Sequence, residues 1–554
     1  MIMGSLCLVS IAGVTRRPSE FDAILRADEV LAGPTSDEPT GSRLDRWWEG
    51  RSERVRRILR RGAPVIVVVI AAITRLWHLG NPHALVFDET FYVKDAWTLM
   101  NLGYEAAWPS EADELFTSGS TNVFSTLPSY VVHPPLGKWL IGLGMGWLGP
   151  DNSVSWRIAT AIAGILAVIL VMLIARALFS STLLGSIAGL LMAIDGNAIV
   201  MSRVSLLDNF VMLFALLGFG AVLLDRRWSA TRLAMWIGAR EDGRRDLGPA
   251  LWWRPWLIAA GVAFGAATAV KWNGLYFLAG FAIYTLVVDA VARRRAGIPF
   301  WVTGTILKQA PVTFLLMVPI AVATYLSTWA GWFATSGGYY RHWADEAGNA
   351  WTGALSWVPH AIQSWWHFEV SVYGYHVGES RSHPYQANPL TWLLMVRPTG
   401  MYYQSSAAGE NGCAADLCGT SIAGIANPLI WWAATAAAVY LLYRLVRFRE
   451  WRLGLILTGL AAGYLPWLLY LDRTVYQFYT IAFEPYLILA LTCAIGLILG
   501  SARDPESRRV SGLRLVGIYL AFVVAVSVFF WPLWAGIRLD YPLMAAHWWL
   551  PSWR

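Results

Sequence analysis

The stretch Val86-Phe87-Asp88-Glu89-Thr90-Phe91-Tyr92 sets two adjacent carboxylates among aromatic side chains soon after a long apolar run. Moving a group onto an alcohol needs a base for the hydroxyl proton, and a carboxylate is a usual choice. The same pair suits the first turn of a helix, where negative charge meets free N–H groups. From the dipeptide alone the helix start is the favoured role. Further on, His133-Pro134-Pro135-Leu136-Gly137-Lys138 reads as a rigid corner ahead of a helix, with a His and a cation at its two ends. Arg157, Arg203 with Asp208, and Lys271 fall at the ends of apolar runs. Singly, such charges snorkel to water. Gathered on one face, they would suit a phosphate leaving group, whose negative charge grows in the transition state. Asp195-Gly196-Asn197 interrupts an apolar run and either pairs with an Arg or belongs to a site.

These residues need elements to hold them, and the composition says which kind. The chain has 554 residues, 56% hydrophobic and only 14% charged, against about 25% charged in a soluble domain. That much apolar surface calls for lipid, where backbone groups must be satisfied within each segment and helices are the solution. The 32 Trp fit headgroup depth. The net charge of +7 comes from short Lys/Arg clusters between apolar runs rather than a basic domain with interleaved aromatics, so no nucleic-acid partner is expected.

Residues 1–61 read as a cytoplasmic, largely disordered tail, polar through Gly50 and closing on the basic block Arg51–Arg61. Leu6–Val14 lacks a preceding basic region, so no cleaved signal peptide is expected. The basic block pins the first span, Pro64–Leu79, with its N-terminus inside. Ten further runs follow: Ile158–Phe179, Leu183–Met201, Leu206–Leu224, Pro255–Val270, Leu275–Ala292, Pro311–Phe333, Pro428–Arg444, Leu453–Leu471, Phe478–Leu499 and Leu513–Trp534. About eleven spans within residues 62–534 result. Alternation puts the arginines of 226–254, 293–295, 444–452 and 503–514 inside and the C-terminal segment 535–554 outside. Two long segments, 80–156 and 334–427, are then external. Leu136–Leu148 is too short to span and is expected as an interfacial or re-entrant helix. Of the four Cys, Cys413 and Cys418 flank a polar run in the second external segment, where a local disulfide is favoured. A zinc site lacks further ligands nearby, and two free thiols are the third reading. No repeat of 20–50 residues is present.

Five motifs in order carry a resemblance: Phe87-Asp88-Glu89; His133 to Lys138; Met201-Ser202-Arg203 with Leu206-Leu207-Asp208; Val270-Lys271-Trp272-Asn273-Gly274; and Ser382-His383-Pro384-Tyr385 through Trp392. The chain resembles the protein O-mannosyltransferases in their actinobacterial form, from about the first span to the last. The resemblance implies an all-α polytopic GT-C glycosyltransferase fold in the cell membrane, with its site on the external face. It implies inverting transfer from polyprenyl-phosphate mannose to Ser or Thr of secreted proteins, with the Sec translocon a candidate partner. By the same resemblance Asp88 is the general base and Glu89 positions the acceptor. Arg157, Lys271 and Arg203 hold the donor phosphate, and His133, Lys138, Asp208, His383 and Tyr385 line the site. Metal-using GT-C relatives carry a larger acidic cluster than Asp88-Glu89 with the more distant Asp95, so no metal is expected. The second external segment is too short for the β-trefoil of the eukaryotic members, and their paralogue pairing does not follow here. The rival readings are a GT-C transferase acting on a lipid or cell-wall glycan and, further off, a secondary transporter.

Overall fold

Side-chain caps and prolines fix where the helices of this chain begin. In the computed structural model, which describes residues 46–554 apart from 48, 240–245 and 502–503, Ser52 caps α1 (Glu53–Leu76) by accepting from the Val55 N–H. Most of the basic block therefore forms the first turns of α1 rather than the end of a tail. The tail expected over residues 1–45 lies outside the described residues. After α2 (Glu89–Leu102) and α3 (Leu136–Leu148), Asn152 caps α4 (Ser153–Phe179) and Ser181 caps α5 (Thr182–Ile194). Asp195 caps α6 (Gly196–Arg203), bent 60° from α5, its carboxylate accepting from the Asn197 and Ala198 N–H groups and, from afar, the Asn427 N–H. The bundle continues through α7 (Asp208–Gly238), α8 (Pro255–Val270), α9 (Gly274–Arg295) and α10 (Trp301–Thr328). α11 (His360–Gly378) precedes α12 (Pro428–Phe448), α13 (Trp451–Tyr464), α14 (Glu484–Leu499) and α15 (Glu506–Ala535). Pro stands in the first turn of α8, α12 and α14, where its missing N–H is harmless.

Each of the eleven apolar runs is helical over most of its length. By length and composition, seven helices among the described residues are fit to cross a membrane: α4, α7, α9, α10, α12, α13 with its following turn, and α15; the bent α5–α6 pair makes up to eight. α8 and α14, at 16 residues each, are apolar but shorter, and α1 carries its basic block at one end. α8 sits tightly against α10 because Gly261 and Gly265 face its backbone: a Cβ there would lie 2.7 and 2.6 Å from the Met317 and Ala321 carbonyl oxygens.

Between α1 and α4, α3 packs its Gly137, Ile141, Gly144 and Met145 side against α2, α4 and neighbouring chain, while Leu143 and Trp147 stay exposed. This is the short helix expected there. Between α10 and α12 lie α11 and a hairpin, β1 (Gly400–Ala407) and β2 (Leu417–Ala423), closed by the Cys413–Cys418 disulfide. β3 (Leu539–Asp540) from the C-terminal segment adds to β2, giving a three-stranded antiparallel sheet in order β1-β2-β3. Arg397 ties the two segments by donating to the Ser552 and Arg554 carbonyls. The helical class holds for the bundle; the sheet is a small addition at one end.

Candidate active site

Glu89 and Arg157 form the frame on which the acidic loop is built. Phe87 takes a positive φ of 53°, turning the chain sharply into α2. The Glu89 carboxylate, fully buried, accepts from the Val86 and Ser205 N–H groups and from Arg157 Nε and Nη2, all at 2.8 Å. Arg157 gives its remaining donors to the Leu79, Pro82 and Ala84 carbonyls. A buried ion pair is tolerable only with its hydrogen-bonding capacity filled, as it is here. The pair therefore pins the exit of α1, the start of α2, α4 and the α6–α7 link to one another. Neither side chain has a free group for substrate, so the acceptor-positioning role expected of Glu89 and the phosphate role expected of Arg157 do not fit their surroundings. Arg203 is likewise engaged: it donates to the Thr74, Trp77 and His78 carbonyls, closing the C-terminal end of α1. Lys138 is buried in an ion pair with Glu105.

Asp88 is different. It stands directly before α2 but its side chain makes no capping hydrogen bond, and among the described residues its one side-chain hydrogen bond is a long one from the Tyr92 hydroxyl at 3.5 Å. Burial pushes its carboxyl up to about 6, with the nearby Lys271 ammonium pulling down and Asp208 pushing up. Lys271 is paired with Asp208 at 3.0 Å and lies 3.9 Å from the Tyr479 ring centroid. Its placement follows from the Val270–Gly274 motif. α8 ends in an extended Lys271, and α9 restarts at Gly274, where a Cβ would stand 2.3 Å from the Thr268 nitrogen. Only glycine lets the two helices fold back this closely. Phe87 packs edge-on among the rings of His383, Tyr476 and Phe478, and His383 Nδ1 accepts from the Tyr385 N–H. His383 thus borders the acidic turn, with Tyr385 behind it.

Next to Lys271 is a cavity of about 90 Å³ lined by His133, Asn273, His376, Tyr470 and Arg473, among others. Arg473 donates to His376 Nδ1 at 2.8 Å, and His376 Nε2 meets the Val132 carbonyl at 2.7 Å. An arginine can only donate, so Nδ1 accepts, the proton sits on Nε2, and the imidazole is neutral. Burial and the Arg473 charge hold His376 down to about 4. His133 stacks on His376 at 5.3 Å, and burial keeps it, too, well below the usual range. Arg473 Nε and Asn273 Oδ1 are buried without hydrogen-bond partners. The cavity thus offers Arg473, with an unsatisfied donor, and Lys271, which is paired with Asp208 and also feels the charge of Asp88. Among the described residues no three His, Cys, Asp or Glu side chains are grouped to hold a metal.

Of the residues singled out from sequence, the structure brings Asp88, Asp208, Lys271, His133 and His383 together. Arg473, His376, Tyr92 and Tyr479 were not anticipated. Arg473 had a readable signal: it stands in a short turn between two apolar runs on the side where alternation expects few positive charges. His376 had none, since its helix is polar and aromatic without an evident motif.

Comparison with known proteins places the chain in a family. The description "Dolichyl-phosphate-mannose-protein mannosyltransferase" matches residues 65–334, and "C-terminal four TMM region of protein-O-mannosyltransferase" matches residues 361–553. A polyprenol-phosphate-mannose–protein mannosyltransferase of Mycolicibacterium smegmatis (strain MKD8) is 35% identical over 505 residues, covering 88% of this chain and 92% of its own. The Corynebacterium glutamicum protein of the same name is 32% identical, with coverage of 88% and 92%. In fold, the chain is similar to the Saccharomyces cerevisiae protein O-mannosyltransferase Pmt1-Pmt2 complex bound to the sugar donor, with a TM-score of 0.65 at 15% identity over 90% of this chain and 93% of that one. The chain belongs to the dolichyl- or polyprenol-phosphate-mannose–protein mannosyltransferase family, whose members have the GT-C fold.

Proposed function

We propose that the protein transfers mannose from polyprenyl-phosphate mannose to Ser or Thr hydroxyls of secreted polypeptides, with inversion at the anomeric carbon. The observation that carries this reading is the contrast within one dipeptide: Glu89 is locked into the fold, whereas Asp88 is in no ion pair among the described residues, poised at about 6, and within reach of the charge of Lys271, which lines the cavity with Arg473. Asp88 takes the acceptor hydroxyl proton as the oxygen attacks the anomeric carbon. The carrier phosphate leaves toward Lys271 and Arg473, which offset its growing charge in a site partly shielded from water. A phosphate diester oxygen leaves without a proton, so one carboxylate suffices where a glycosidase needs two. His133 and His376, held neutral, wall the phosphate cavity without repelling the sugar. His383, beside Phe87, borders the side from which an acceptor approaches.

The orientation is part of the same proposal: about eleven helices cross the membrane, the N-terminus is cytoplasmic, and Asp88 and the C-terminus face outward. Arg226, Arg254, Arg293–Arg295 and Arg444–Arg452 support it by collecting at the helix ends remote from Asp88. An outward site would meet acceptors still unfolded as they emerge, with the Sec translocon as their source. The test is transfer of labelled mannose from a polyprenyl-phosphate donor to a Ser/Thr-rich peptide by membranes containing the protein. Transfer to the peptide is expected; transfer only to a lipid or glycan acceptor would overturn the assignment of substrate class.

A further inference from the structure

A second concavity lies at the other end of the bundle. α9 starts beside Lys271 and ends at Arg295, ~33 Å further along its axis. Near that far end it forms, with α7, the end of α12 and α13, a groove of about 740 Å³, within the range of small-molecule and cofactor sites. Its walls are apolar, including Leu233, Ile283, Val287, Val446, Leu457 and Ala461. Its lining carries Arg226, Arg293, Arg295 and Arg449 against the single carboxylate of Asp289.

The partners of these charges decide which are available. Asp289 is held at 2.5 Å by Arg254, which Asp225 shares, so one carboxylate charge of this group is left to be offset by the arginines of the groove. Arg293 donates to the Leu247 and Pro249 carbonyls and to Gln309. Arg226 stacks 3.4 Å over the Trp451 ring. Arg295 and Arg449 are exposed and in no side-chain hydrogen bond or ion pair, Arg449 being presented by the left-handed residue that ends α12. Orientation in the membrane requires only that positive charge be near the helix ends. It does not require arginines from α7, α9 and α12 to converge on the mouth of one apolar groove.

We infer that this groove binds an anionic glycerophospholipid of the leaflet at that end. The lipid phosphate sits between Arg295 and Arg449, and its acyl chains lie along Ile283, Val287 and Leu457. A free phosphate has no use for the apolar walls, and an uncharged apolar chain has none for the cations; a polyprenyl phosphate could use both, but the transfer reaction needs it at the other end of α9, beside Lys271. Basic pockets between membrane helices on the cytoplasmic side recognise anionic headgroups by this chemistry. Only the exclusion of the polyprenyl phosphate rests on the transfer reaction.

The experiment uses the full-length protein, delipidated in neutral detergent, with binding of phosphatidylglycerol, phosphatidylcholine and a polyprenyl phosphate read by native mass spectrometry. Phosphatidylglycerol is expected to bind in preference to phosphatidylcholine. The double variant Arg295→Ala/Arg449→Ala weakens it at least about tenfold, and Arg295→Lys/Arg449→Lys restores most of it. A control with the same charge loss outside the groove, Arg447→Ala/Arg514→Ala, leaves it unchanged. Equal loss in the control, equal retention of phosphatidylcholine, absence of binding, or displacement of phosphatidylglycerol by an equimolar polyprenyl phosphate would each overturn the inference. The last outcome would make the groove a carrier site.

Discussion

Acidifying the transfer assay from pH 7 to pH 5 separates a base of the kind Asp88 presents from an ordinary surface carboxylate. With a pKa of about 6, the carboxylate is about 90% ionised at pH 7 and about 9% at pH 5, so kcat/KM falls about tenfold across that interval. An aspartate at the ordinary 3.8 would stay more than about 90% ionised, and the rate would barely move. The donor's phosphodiester does not titrate here, and His376, at about 4, remains neutral throughout. Asp95 and Glu369, pushed to about 7 by burial, titrate in the same window; Asp95→Asn and Glu369→Gln identify any contribution from them, and the acid limb is expected to survive both. The assay is the initial rate of labelled mannose transfer from polyprenyl-phosphate mannose to a Ser/Thr-rich peptide. Asp88→Asn lowers that rate about 10²–10⁴-fold. It also stabilises the protein at neutral pH. Because the folded pKa lies above the unfolded one, Asp88 favours folding most below about 3.8, and that contribution is lost as pH rises through about 6. The ionised group therefore costs up to ~3 kcal/mol at pH 7, and the variant should melt higher in detergent. A flat profile between pH 7 and pH 5, or an Asp88→Asn enzyme within about tenfold of the parent, refutes the assignment of Asp88 as base.

Three further outcomes follow from the same geometry. Arg473→Ala should raise the KM for the donor about 10–100-fold through loss of a charged hydrogen bond, with Arg473→Lys in between; an unchanged donor KM would remove Arg473 from the phosphate site. Glu89→Ala leaves Arg157 buried without its partner and should cost about 3–5 kcal/mol, read as a lower melting temperature and poor extraction yield; a variant that melts like the parent yet cannot transfer mannose would return Glu89 to the acceptor. A cysteine in place of Arg294 should resist a membrane-impermeant thiol reagent added to intact cells, whereas labelling there would reverse the proposed orientation.

Where the helices run was legible in the chain, because apolar run length, capping side chains and first-turn prolines act locally: Ser52, Asn152, Ser181 and Asn427 mark the starts of α1, α4, α5 and α12. The short motifs around Asp88, His133, Lys271 and His383 were also legible, each being a run of a few residues with an evident chemical use. Tertiary structure decided which charges are available. Arg157, Arg203, Lys138 and Glu89 looked like site residues in one dimension, but Glu89 and Arg157 fill each other's hydrogen-bonding capacity with backbone partners, Lys138 is paired with Glu105, and Arg203 is taken up by the carbonyls that end α1. Arg473 and His376 meet across 97 positions of sequence, and no local pattern predicts that pairing. Asp88 keeps its place among the candidates for the complementary reason: the fold half-buries it without giving it a strong partner. A residue's type and neighbours set what chemistry it can do, whereas its freedom to do so depends on long-range contacts that only the packed bundle creates.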